Sequence, residues 1–96
     1  MNMQNLMAQA KKMQDDISKS TKELEAMTFT ETIGIVRVEV NGKKEVLKVE
    51  MLEDNLDDKE MLEDMILTAL NSVMKKVDDE KSQKLGKYAD AVGGLM

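Results

Sequence analysis

Cysteine, histidine, proline and tryptophan are all missing from the 96 residues, and each absence removes a possibility. Without Cys there are no disulfide staples and no thiolate nucleophile. Without Cys or His there is no zinc ribbon and no imidazole general base. Aromatic residues number two, Phe29 and Tyr88, so the 42% hydrophobic content rests on aliphatic side chains and ten methionines. No long apolar run exists either. The longest uncharged stretches, residues 1–10 and 65–74, are ten residues each, well short of the roughly 20 apolar residues that a bilayer-spanning helix needs. No basic segment leads into an apolar run at the amino end, so the expectation is a cytoplasmic chain without a secretory signal and with no membrane partner. The length allows one domain, 1–96. What is abundant is charge: 34% of residues, the composition of a helical protein with long solvated faces.

The net charge of −5 argues at first against nucleic acid, whose affinity rests on phosphate neutralisation. Its distribution alters that reading. Residues 1–27 and 28–51 are each balanced, and residues 75–96 carry one net positive charge. Residues 52–74 hold one Lys against seven acids: Glu53, Asp54, Asp57, Asp58, Glu60, Glu63 and Asp64. The whole deficit is local, and a neutral or mildly basic surface can exist elsewhere.

The first segment has a heptad rhythm. Met3, Ala10, Ile17 and Leu24 recur every seven residues, with Leu6, Met13, Ser20 and Met27 three places after each. All but Ser20 are apolar, and Gly and Pro are absent, which predicts a helix over about 3–27 with a narrow coiled-coil-like seam. Lys11–Asp15 and Asp15–Lys19 stand at pairing distance on its outer side.

After Met27 the period changes to two. Phe29, Glu31 and Ile33 alternate with threonines, Gly34 interrupts, and Val36, Val38 and Val40 alternate with Arg37 and Glu39. Asn41-Gly42 is a strong hairpin signal. A two-residue loop there would set Val36 opposite Leu47 and Glu39 opposite Lys44, giving a three-stranded antiparallel sheet over about 28–51. Asp57 at the N-cap with Glu60 three places on predicts a capping box that opens a second helix. Leu62, Met65, Ile66, Ala69 and Val73 follow at helical spacing on a wide apolar stripe. Lys75–Asp79, Lys76–Glu80 and Glu80–Lys84 read as surface pairs. Gly86 and Gly93-Gly94 suggest a helix of about 57–85 and a loose tail over 86–96.

A helix over residues 3–27 is about 37 Å long, whereas a compact domain of this length has a radius of gyration of roughly 12 Å. The first helix must overhang its own sheet, and an overhanging apolar seam is most simply covered by a second copy. The seam expected to be core or dimer contact comprises Met3, Leu6, Ala10, Met13, Ile17 and Leu24, with Leu62, Met65, Ile66, Ala69 and Val73 from the second helix.

These elements and their residues resemble the YbaB/EbfC family of small bacterial nucleoid-associated proteins over nearly the full length. The matching segments are Asn5-Leu6-Met7, Gln9-Ala10, Lys12-Met13-Gln14, Leu24-Glu25, Gly34-Ile35-Val36 and Asn41-Gly42. Further along come Asp57 through Asp64, Ala69-Leu70-Asn71 and Lys75-Lys76-Val77-Asp78. Two departures are visible. Only Gly34 remains where the family usually has a glycine-rich stretch, and the C-terminus carries Gly93-Gly94 without proline. The resemblance implies an α+β fold: a long N-terminal helix, a three-stranded antiparallel sheet and a C-terminal helix, in a sheet-centred homodimer with projecting helices. It also implies a cytoplasmic, nucleoid-associated protein that binds double-stranded DNA with low sequence specificity, without catalysis, cofactor or small-molecule substrate. Carried over by position, the DNA contacts are Lys11, Lys12, Lys19 and Lys22 on the first helix and Lys75, Lys76, Lys81 and Lys84 on the last.

Each lysine also has a plainer role, since exposed lysines commonly serve solvation and local pairing. Lys22 and Lys81 have no acid four residues on. The methionine stripes (Met3, Met7, Met13 and Met61, Met65, Met74) read as core or dimer seam, with adaptable partner surface as the alternative. The acidic run lacks the spacing of a calcium loop, so helix capping explains it better and no metal site is expected. Asn71, polar within an apolar stripe, reads as a buried, register-setting amide. No phosphate-cradling loop or nucleophile constellation accompanies the acids. The competing function is a non-enzymatic protein–protein adaptor that uses the seam and the Met-rich faces.

Overall fold

Asn2 starts the first helix: its side-chain oxygen accepts the Gln4 backbone N–H at 3.0 Å. The computed structural model describes residues 2–93. Helix α1 spans Met3–Ala26 and closes with the Met27 N–H donating to the Leu24 carbonyl at 3.0 Å. The β-branched run from Thr28 then favours extended chain, and strands β1 (Thr28–Ile33), β2 (Val36–Asn41) and β3 (Val46–Met51) follow. They form one antiparallel sheet in the order β1-β2-β3. Helix α2, Lys59–Gly93, completes the α+β fold.

The two hairpins use their glycines differently. β1 and β2 are joined through Gly34-Ile35, with Gly34 at φ +57° in the left-handed region. A Cβ there would come within 2.5 Å of the Met65 terminal methyl, so the bare backbone also lets α2 approach. The β2–β3 turn is longer than the two residues expected. Asn41 N–H donates to the Glu45 carbonyl at 3.1 Å, and Lys44 N–H to the Asn41 carbonyl at 3.0 Å. Lys44, not a glycine, occupies the left-handed position at φ +65°. The Asn41 side-chain oxygen accepts from the Lys43 and Glu45 amides, which stabilises this wider turn. The register therefore differs from expectation: Val36 faces Met51, Glu39 faces Lys48, and a bulge brings Val40 opposite Val46.

The capping box also shifts by one. Asp58, not Asp57, accepts the Met61 N–H at 3.0 Å, which puts Glu60 one position short of its expected place, still within the first turn. The Asp57 N–H instead donates to the Asn55 side chain at 3.3 Å.

Val36, Val38 and Val40 on β2 meet Ala69, Val73 and Val77 on α2, and all six are at most 1% exposed. Each fully buried valine contributes roughly 1.5–3 kcal/mol of apolar burial. α2 lies over β1 and β2. β1 and β3 are the edge strands, and Val46, Leu47 and Val49 on β3 remain 44–54% exposed.

The second helix does not stop near residue 85. It passes through Gly86 and continues to Gly93, so residues 86–93 are helical rather than a loose tail; 94–96 lie outside the described residues. The reason is tertiary. Met13, Ile17, Ser20, Thr21 and Leu24 form the covered stripe of α1, while Val77, Glu80, Lys84, Leu85 and Tyr88 form that of α2. Packing along this line offsets the roughly 1 kcal/mol cost of a mid-helix glycine. The α1 seam is thus partly covered by its own chain. Leu24 is buried and Met13 and Ile17 are half-buried, but Met3, Leu6 and Ala10 are exposed. On α2, Ala69 and Val73 are buried and Leu62, Met65 and Ile66 half-buried. The radius of gyration, 19.3 Å, and a long dimension of 70 Å fit a body with a projecting helical arm.

Candidate nucleic-acid interface

On α1 the spacing of Lys11, Lys12, Lys19 and Lys22 places all four within about a third of the helix circumference. That arc lies opposite the covered stripe of Met13, Ile17, Ser20 and Leu24, and all four lysines are exposed. Asp15 shares the face. The expected one-turn pairs of Lys11 and Lys19 with Asp15 do not close to ion-pair distance among the described residues. These ammonium groups are left to solvent or to an anionic partner.

The lysines of α2 do not share a face. Lys75 is exposed on the outside. Lys76 turns to the sheet, with its Nζ 3.1 Å from Glu31 Oε2 and donating to the Thr30 carbonyl at 3.0 Å. Ser72 donates to the same Glu31 oxygen at 3.0 Å. The Lys76 ammonium above all, and the Ser72 hydroxyl after it, hold the Glu31 carboxyl below its ordinary value, against a smaller opposing effect of burial. Lys84 pairs with Glu23 of α1 at 3.5 Å. The expected pairs Lys76–Glu80 and Glu80–Lys84 give way to these links between elements, because Glu31 and Glu23 stand across packed interfaces, and Lys75–Asp79 does not close to ion-pair distance among the described residues. Lys81 lies at a groove it shares with Lys43 and Lys44 of the β2–β3 turn.

Those two turn lysines escaped sequence reasoning, although the Lys-Lys pair directly after Asn41-Gly42 was the available signal. Lys43 Nζ is 3.8 Å from Glu25 and Lys44 Nζ 2.5 Å from Asp78. Asn71 is exposed rather than buried, because the sheet-facing stripe of α2 runs through Ala69, Val73 and Val77 and leaves it on the outer side. Met3, Met7 and Met61 are likewise exposed.

The acidic run sits at the opposite end of α2 from the arm. From Asp64 to Lys81 is about 25 Å along the helix, two to three times the roughly 8–10 Å screening length at physiological salt. The acids therefore do little to the potential at the arm. Among the described residues no cluster of acids is arranged to hold a metal ion, and no helix is long and apolar enough to cross a membrane.

Comparison with known proteins bears on the family and the fold. A nucleoid-associated protein of Agathobacter rectalis is 40% identical across 97% of this chain and 86% of its own length. One from Clostridium novyi is 42% identical across 99% of this chain and 84% of its own. The crystal structure of an uncharacterized protein, HP0035 from Helicobacter pylori, superposes with a TM-score of 0.78 at 22% identity, covering 92% of this chain and 97% of that one, which shows the shared fold. The sequence profile of the YbaB/EbfC DNA-binding family matches residues 1–92, and the chain belongs to that family.

Proposed function

We propose that this protein is a non-enzymatic, nucleoid-associated component of the bacterial cytoplasm. In this reading a homodimer grips duplex DNA through phosphate contacts from its projecting helices. The observation that carries the reading is the exposed lysine face of α1, set on an arm opposite the packed seam and remote from the acidic end. Phosphate contacts hold a protein on a duplex without reading its sequence, and no groove-reading motif accompanies these lysines, so specificity is low. Two arms per dimer compensate for the small charge on each. Lys11, Lys12, Lys19 and Lys22 are the main contacts, with Lys75 and Lys81 supplementary. Lys76 and Lys84 act mainly by holding the arm and the sheet together. The dimer contact is the exposed apolar stretch of β3, where Val46, Leu47 and Val49 are left largely open to solvent.

The names of the relatives, nucleoid-associated proteins, support the same assignment. One feature favours the adaptor alternative: Met3, Leu6 and Met7 expose an uncharged apolar strip at the arm tip. Titration of a labelled duplex at two salt concentrations separates the two. DNA gripping predicts binding that weakens with salt along a shallow slope. Absence of binding at low salt would leave the adaptor.

A further inference from the structure

The Asn41–Glu45 turn meets both helices where α1 leaves the sheet. The Gly42 N–H donates to the Met27 carbonyl at 3.1 Å, one residue past the end of α1. A Cβ on Gly42 would overlap the Leu24 carbonyl oxygen, lie 2.5 Å from its carbonyl carbon and 3.0 Å from Glu25 Cα. These are backbone atoms of a helix end and cannot swing aside as the Met65 side chain can at Gly34. Gly42 does not occupy the left-handed region. Glycine is required here for close approach rather than for an unusual backbone angle. On either side of this contact, Lys43 bridges to Glu25 of α1 and Lys44 to Asp78 of α2. Leu24, 3% exposed, is the buried residue at the root.

We propose that this turn is a bracket that sets the angle of the α1 arm, with Gly42 as the positioning residue for the lysine face. Its consequence for DNA rests on the function proposed above; its consequence for arm geometry does not. The leverage is large. Lys11 lies about 20 Å along the helix from Leu24, so a tilt of roughly 10° at the root displaces it by about 3–4 Å. That displacement exceeds the reach of a charge-assisted hydrogen bond. Rigid attachment keeps the lysines of two arms in step with a duplex.

The absence of native cysteine allows a direct test. Spin labels at Gln9→Cys on α1 and Thr68→Cys on α2, both exposed positions, report arm-to-body distance when diluted into unlabelled full-length protein. Gly42→Ala should shift or broaden that distance by about 3 Å or more, with helical circular dichroism retained and duplex affinity reduced roughly three- to tenfold. Lys44→Glu, which repels Asp78 without adding a Cβ at position 42, should broaden the distribution as well, so the test survives if the alanine variant does not fold. An unchanged distance distribution in Lys44→Glu, or in a folded Gly42→Ala, overturns the bracket. A shifted distance in a protein whose wild type does not bind DNA keeps the bracket and removes the DNA function.

Discussion

Lys76 crosses from α2 to strand β1, where its ammonium lies 3.1 Å from a Glu31 oxygen that also accepts the Ser72 hydroxyl. A lysine held this way is a clasp between helix and sheet before it is a phosphate contact. Lys76→Met should lower stability by about 0.5–1 kcal/mol, since the pair is partly solvent-screened, and the melting temperature by a few degrees. Duplex affinity should change less than twofold. A tenfold loss of affinity with unchanged melting would instead make Lys76 a direct contact.

The same clasp has a pH signature. Glu31 is held below its ordinary value in the folded chain, so the unfolded chain binds the proton more readily. The stabilisation is fully present above the ordinary carboxylate range and is lost as the pH falls through the lower folded value. Thermal melts of wild type and Glu31→Gln should therefore differ at neutral pH and converge in acid. A constant gap across that range would mean that Glu31 is not clasped as an anion.

Gly86 stands inside α2 with open space where a Cβ would be. Gly86→Ala should stabilise the protein by about 0.5–1 kcal/mol through helix propensity and a less flexible unfolded chain. Destabilisation in the thermal melt would restore Gly86 as a helix end.

Edge strand β3 makes the dimer testable. Val49→Glu puts a charge at an exposed apolar position of β3, across from Val38. In gel filtration with light scattering the wild type should run at about twice 10.8 kDa and the variant at about the monomer mass, with circular dichroism retained. A variant that stays dimeric moves the interface elsewhere.

How far the sequence carried these conclusions depended on which interactions were local. The heptad seam and the strand alternation located α1 and the three strands, because periodicity follows directly from helix and strand geometry. The lysine face of α1 was readable for the same reason, since spacing fixes the face of a helix. Long-range packing was not. Gly86 looked like a stop, and only the stripe of α1 from Met13 to Leu24 explains why the helix passes through it. Lys76 and Lys84 had acids one turn away in sequence, yet Glu31 and Glu23 lie across an interface and win. Asn41 signalled a tight hairpin, but its side chain holds a wider turn by accepting from two following amides, which moved the register of β3.

The central claim is that the outward lysines of α1 grip phosphate. Its most direct test is titration of one labelled duplex with wild type and with the Lys19→Glu, Lys22→Glu double variant over a salt series. The account predicts an affinity loss of about tenfold or more and a log–log salt slope shallower by roughly one to two, while the variant remains a folded dimer. An unchanged slope and affinity would contradict it.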